Sequence, residues 1–281
     1  MTITSFTKMN GLGNDFVVID GREQPVNLTS TQVRAISNRH TGIGCDQIVI
    51  IEHPRESRKF NPADVFIRIF NADGSEINAC GNATRCVAAL MYIENQIKKI
   101  MIETKAGFLE SELLDNSKIA VDMGKPVFLW QDIPLSENQN TKALDIVFGK
   151  LSSPAAISMG NPHCVFFVEN LDKIILEEIG PVIENHRLFP QRTNVGVAQI
   201  KDTDLIRLRV WERGVGITLA CGTGACAAAV AANRANLVER EVIVELDGGR
   251  LEINWRPDDH VIMTGPTATS FSGEVDLELL A

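Results

Sequence analysis

The sequence predicts a mixed α/β protein of two similar halves, each holding a buried helix wrapped by strands. Three observations predict it. Short runs rich in Val, Ile and Phe, bounded by Gly, Asn, Asp or Pro, recur along the chain and read as strands. Two helical segments, 81–94 and 222–235, are rich in Ala, Val, Leu and Met, and the second carries no charge before Arg234. A helix apolar on nearly every face must be buried on nearly every face. Finally, the halves echo one another. FNADGSEINACG ends at Gly81 and WERGVGITLACG ends at Gly222, with no gap between them, so Asn71 falls opposite Glu212.

The elements follow in order. Strands are expected at 16–20, 47–52, 65–70, 100–104 and 118–122 in the first half. The second half should carry them at 163–169, 195–200, 205–211, 241–246, 250–255 and 260–264. Two amphipathic helices, 29–38 and 171–185, are expected on outer surfaces, the second broken at Gly180-Pro181. With looser spacing, GLGNDFVVID echoes SMGNPHCVFFVE and RHTGIGCDQIVI echoes QRTNVGVAQI. Three echoes in the same order argue for duplication of a half-chain unit. The expected domains are 1–125, with a last strand contributed from 265–281, and 126–264.

Bulk properties narrow the function. The net charge is −9 and no stretch concentrates Lys and Arg, so nucleic acid is not an expected partner. MTITSFTKMNGLGNDF has no apolar signal core, and no apolar run is long enough to span a bilayer. The expectation is a cytoplasmic protein with no membrane partner. Six cysteines without a C-x-x-C pair, and five scattered histidines, point to reduced thiols and no metal site. Cys86, Cys164 and Cys226 read as core residues, whereas Cys45 in a Gly-rich turn stays undecided.

Cys80 and Cys221 differ from these four. Each stands at the start of a buried helix, followed by glycine. Free N–H groups and the positive end of the helix dipole point there. The thiol pKa is therefore expected to fall, and the neighbouring backbone can bind an anion such as a substrate carboxylate. If both sites served one pocket, two thiols would face an α-carbon from opposite sides. That arrangement suits racemisation or epimerisation. A pair of inherited structural caps is the alternative reading of the same spacing.

The motifs MNGLGNDFVVID, RHTGIGCDQ, FNADGSE followed by CGN, MGNPHCV, RTNVG, WERG and ACGTGACA resemble the diaminopimelate epimerase family nearly end to end. That resemblance implies two α/β halves, each a curved mixed sheet or barrel around a central helix. It implies cofactor-independent conversion of LL- to meso-diaminopimelate, without metal or pyridoxal phosphate. Cys80 and Cys221 would exchange acid and base roles. The N–H groups of Gly81, Asn82, Gly222 and Thr223 would hold the reacting carboxylate, with Asn14 and Gln47 also contacting ligand. Asn71, Asn161, Asn194, Glu212 and Arg213 would read the far end of the substrate. His163 and Glu212 would tune thiol ionisation.

The chain departs from the family pattern at three places. Ala83 stands where Gly is more usual, and Ile217 stands where Glu is common. Phe271 takes the place of a dimer-interface Tyr, so a homodimer is expected without that hydroxyl. The alternatives are a proline- or hydroxyproline-type racemase of the same two-cysteine kind, or a non-catalytic amino-acid-binding relative. The first has no need of Arg213 and Glu212 at a distal group, and the second has no need of both thiols.

Overall fold

The computed structural model describes residues 3–55, 62–114 and 118–278. It divides into two compact units, Met1–Val121 with Gly265–Ala281, and Asp122–Thr264.

In the first unit, Ala268–Asp276 pairs antiparallel with Ile3–Gly11, which pairs antiparallel with Asn14–Asp20. Asn14–Asp20 then pairs parallel with Gln47–Glu52, and Gln47–Glu52 antiparallel with Val65–Asn71. Val65–Asn71 pairs parallel with Lys99–Thr104, and the antiparallel strands Gly107–Leu113 and Ile119–Asp122 complete the order. Each parallel step needs a crossover. Helix α1 (Ser30–Ser37) lies in the first crossover and helix α2 (Gly81–Asn95) in the second.

The second unit repeats this order of pairings. Ala155–Ser158 pairs antiparallel with Pro162–Phe167, which pairs parallel with Asn194–Asp202. Then come Leu205–Glu212 antiparallel, Glu241–Leu246 parallel, and Gly249–Trp255 and Val261–Gly265 antiparallel. Helix α3 (Leu176–Glu184) and helix α4 (Gly222–Arg234) occupy the two crossovers. In each unit a short strand, Glu76–Ile77 or Gly216–Thr218, folds back on its neighbour just before the cysteine. The repeated direction of every pairing is the duplication that the sequence echoes indicate.

The inner helices are enclosed as their composition requires. Every residue of α4 from Gly222 to Ala232 is buried except Thr223. The helix packs against strands on several sides, among them Gly249–Trp255, Ala155–Ser158 and Pro162–Phe167. Helix α2 is buried from Gly81 to Ala88, including Arg85, but its last turn emerges, with Ile93 66% exposed. The expectation of burial on nearly every face therefore fails for the end of α2.

The outer helices bury one stripe each. Thr29 and Gln32 form a capping box at the start of α1, which buries Val33 and Ile36. Helix α3 corrects the expected break. It runs through Gly180-Pro181, and the interruption falls earlier, where Ile174 and Ile175 are extended. Two adjacent β-branched residues favour that conformation. Pro181 leaves only the carbonyl of exposed Glu177 without its helical donor, and water can serve it. Gly180 is needed for packing, because a Cβ there would lie 2.3 Å from the Trp211 ring.

Sequence patterning missed the strands Ile3–Gly11, Gly107–Leu113 and Ala155–Ser158, and placed Ala268–Asp276 only as a last strand somewhere within 265–281. Ile3–Gly11 and Ala268–Asp276 mix Thr, Ser and Lys with isolated apolar residues, and Ala268–Asp276 has no fully buried position. No helix among the described residues is long and apolar enough to cross a membrane.

Gly180→Ala tests the α3 contact. In an open helix the change raises stability by up to about 1 kcal/mol. Here overpacking against Trp211 should lower it by about 1–3 kcal/mol. Chemical denaturation monitored by circular dichroism distinguishes the two signs.

Candidate active site

In the first unit, Cys80 is the N-cap of α2, with extended backbone at φ −149° and ψ 115°. Its carbonyl accepts from both the amide and the hydroxyl of Thr84, each at 2.9 Å. The half-buried sulfur lies 4.0 Å from Asn14 Oδ1, which also accepts from Asn82 Nδ2 at 3.2 Å. Asn14 is itself held, since its Nδ2 donates to Asp46 Oδ2 at 3.1 Å.

Behind Asp46 stands an ionic cluster. Arg39 forks onto both oxygens of Asp15, at 2.9 and 2.7 Å, and reaches Asp46 at 2.8 Å. Lys8 donates to Asp15 at 2.5 Å and to the Gly44 carbonyl. Burial opposes ionisation of Asp15, but the bonds from Arg39 and Lys8 outweigh it and hold the carboxyl far below the usual range. These charges fix Asp46, and through it Asn14 beside the thiol.

Gln47 and Asn71 meet across paired strands, with Gln47 Nε2 donating to Asn71 Oδ1 at 2.9 Å. Asn71 Nδ2 passes the contact on to Ser75 Oγ at 3.2 Å. The buried Gln47 Oε1 has no hydrogen-bond partner among the described residues.

In the second unit, Cys221 is the N-cap of α4, with φ −125° and ψ 111°. Its sulfur accepts from the Gly224 amide at 3.4 Å and lies 3.6 Å from Thr223 Oγ1. A side chain at Gly224 would place Cβ 3.2 Å from that sulfur and 3.1 Å from Val210. Thr223 accepts from Asn161 Nδ2 at 3.3 Å, and Asn161 Oδ1 lies 3.0 Å from His163 Nε2. A chain of contacts thus links His163, Asn161, Thr223 and Cys221.

The electrostatics of Cys221 correct the expectation of a lowered thiol pKa. Burial pushes it well above the ordinary value, and the Glu212 carboxylate adds to that by its charge and by accepting from the thiol. The Thr223 hydroxyl and Gly224 amide oppose the rise without reversing it. The helix start therefore supplies a donor, but a buried thiol beside a carboxylate stays protonated. Glu212 is held in turn by Thr218 Oγ1 at 2.5 Å. His163 is 1% exposed, and burial together with the Arg213 charge pushes its pKa down to about 3. It is a neutral imidazole near neutral pH, so it acts on its neighbours by hydrogen bonding rather than by charge.

Asn194 and Arg213 form the remaining group. Buried Asn194 donates to the Pro162 carbonyl at 2.9 Å and accepts from the Arg213 amide at 2.9 Å. Arg213 Nη1 donates to the Gln191 carbonyl at 3.0 Å. Burial and Arg192 lower the pKa of Arg213, and Glu184 works against them.

The other cysteines belong to the core. Cys45, Cys86, Cys164 and Cys226 are buried. Burial pushes Cys86 up to about 12 and raises Cys45 and Cys164 as well. Phe271 stands opposite Lys8 across paired strands, 49% exposed and edge-on to Phe6 at 5.9 Å between ring centroids.

Sequence reasoning missed Gly224, Thr218 and the Lys8–Asp15–Arg39–Asp46 cluster. Gly224 was open to discovery, because the third residue of a helix is where an N-cap side chain finds its donor. The cluster joins residues up to 38 positions apart, and only the fold brings them together.

His163 yields a pH test. Its pKa is about 3 folded against 6.5 unfolded, so the unfolded chain binds more protons between those values. Its contribution to stability is full above about pH 6.5 and is lost as pH falls toward 3. His163→Gln should flatten that part of the pH–stability curve relative to wild type. Parallel curves from denaturant titrations would contradict the assignment.

Comparison with known proteins places this geometry in a family. A family model described as diaminopimelate epimerase matches residues 6–129 and 155–269. A diaminopimelate epimerase from Acidiphilium cryptum is 51% identical over 276 residues, 98% of each chain. One from Phenylobacterium zucineum is 52% identical over 274 residues, 96% of this chain and 97% of its own. Among solved structures, a phenazine biosynthesis protein from Bacillus anthracis matches with TM-score 0.68 at 19% identity, covering 98% of this chain and 100% of its own. A hydroxyproline epimerase from Agrobacterium vitis matches with TM-score 0.69 at 14% identity, covering 97% of this chain and 92% of its own. At those identities the solved structures speak for the fold alone. The relatives and the family model together show that the chain belongs to the diaminopimelate epimerase family.

Proposed function

We propose that this chain converts LL-2,6-diaminopimelate to the meso form by inverting one α-carbon, with no cofactor. The observation that carries the reading is that both N-cap cysteines stand in a chain similar over nearly its whole length to diaminopimelate epimerases. One cysteine, as thiolate, takes the α-proton, and the other, as thiol, delivers a proton to the opposite face. The first then ends as thiol and the second as thiolate, and the reverse reaction exchanges their parts. N–H groups at Gly81, Asn82, Gly222 and Thr223 stabilise the charge that develops on the reacting carboxylate.

Recognition of the distal group follows from charge. Arg213 pairs with the second carboxylate, and Glu212 with a substrate ammonium. The asparagines Asn14, Asn71, Asn161 and Asn194, with Gln47, supply oriented donors and acceptors. An ammonium against Glu212 would offset the charge that holds the Cys221 thiol up. Substrate arrival thus favours the thiolate it needs. The reaction fits cytoplasmic lysine and peptidoglycan-precursor synthesis. The expected assembly is a homodimer with exposed Phe271 at its interface, and sedimentation of Phe271→Asp as a monomer would support that.

Cys80→Ala and Cys221→Ala should each lower turnover of LL-diaminopimelate by at least about 10³-fold, as loss of a general acid or base does. Arg213→Ala should raise KM by about 10- to 100-fold with a smaller change in kcat. Unchanged turnover in either cysteine variant contradicts the mechanism, and an unchanged KM contradicts the distal assignment.

A further inference from the structure

We propose that Glu184 positions the distal-recognition turn, so that its carboxylate sets where Glu212 and Arg213 stand. The proposal rests on the function proposed above. Glu184 is the last residue of α3 and is 5% exposed. Its Oε1 accepts from the Gly214 amide at 2.9 Å and from Arg192 Nη1 at 3.2 Å. Its Oε2 accepts from Trp211 Nε1 at 2.7 Å. One side chain therefore bonds the residue before Glu212 and the residue after Arg213.

The same residue also fastens the facing segment. The Glu184 carbonyl accepts from the Thr193 amide at 3.2 Å, and Thr193 precedes Asn194. Asn194 then accepts from the Arg213 amide, and Gln191 accepts from the Arg213 guanidinium. The Arg213 backbone and head group are thus held by a segment that Glu184 itself anchors. Both segments turn sharply, with Gly214 at φ 75° and Arg192 at φ 60°. Left-handed backbone at a non-glycine residue such as Arg192 persists only where the surroundings enforce it. The Trp211 ring is wedged against Gly180 of the same helix, which leaves no room for the ring to move toward α3.

The physical consequence concerns binding rather than the proton transfers. Arg213 would hold the distal carboxylate equally in ground and transition states, and loss of such uniform binding raises KM. A residue that merely stabilised the fold would lower the melting temperature and the active fraction, and would leave KM as it was.

Glu184→Gln is the variant of choice, because it keeps one acceptor oxygen and removes the charge that serves three donors. KM for LL-diaminopimelate should rise about tenfold while kcat falls less than about threefold. The Trp211 indole N–H resonance, assigned by its loss in Trp211→Phe, should move upfield as its charged acceptor disappears. A folded Glu184→Gln enzyme with wild-type KM overturns the proposal. If that variant does not fold, Trp211→Phe removes one of the three donors while keeping an aromatic ring against Gly180. Its KM should rise by a smaller factor, and a wild-type KM again overturns the proposal. Wild-type protein inert toward diaminopimelate would overturn the proposed function and this role together, whereas an active wild type with an unaffected variant would overturn this role alone.

Discussion

The structure depends on one constraint, that a helix without a polar face must be surrounded. Helix α4 is buried from Gly222 to Ala232 apart from Thr223, so strands must close on it from several directions. Enclosure has a further effect at the helix start. The first turn of any helix has N–H groups with no intrahelical acceptor, and a buried start must find partners for them. At α4 the Cys221 sulfur takes the amide of Gly224. The packing that hides the helix therefore also creates a polar, donor-rich point next to a thiol.

The two units solve this problem with the same topology but different neighbours. Cys80 stands beside Asn14, which an ionic cluster on Asp15, Arg39 and Asp46 holds in place. Cys221 stands in a drier environment, capping its own helix and facing Glu212. Asn71 and Glu212 occupy equivalent places in the repeat, yet one is neutral and tied to Gln47 while the other is charged and tied to Thr218. A duplicated scaffold thus sets its two N-cap thiols among different groups. An asymmetric substrate calls for that difference.

Much of this was legible in the sequence, for physical reasons that differ by element. The strands Gln47–Glu52 and Glu241–Leu246 have the predicted limits, because the first is an apolar run closed by polar residues and the second alternates buried Val and Leu with outward positions before Asp247-Gly248. The inner helices declared themselves by composition, and their cysteines by position before a glycine. Ala268–Asp276 was legible only as a strand without limits inside 265–281, because it is mostly exposed and has little apolar patterning. The helix α3 break was misplaced because proline was weighed above two consecutive β-branched residues. The lowered thiol pKa expected at Cys221 failed because the position of a cysteine before a helix does not report how deeply it is buried. Desolvation and the charge of Glu212 come from the fold, and they outweigh the donors at the helix start. Glu184 was likewise invisible, since its partners lie up to 30 residues away on two other segments.

The most direct measurement of the central claim is hydrogen exchange with solvent. LL-diaminopimelate is incubated with the enzyme in deuterated water, and the position of deuterium is read by nuclear magnetic resonance. Two thiols acting on one carbon predict deuterium at a single α-carbon, with the inverted product labelled from the first turnover. Exchange should vanish in the Cys80→Ala, Cys221→Ala double variant. Deuterium at both α-carbons in the earliest product, or exchange that survives in the double variant, would contradict the account.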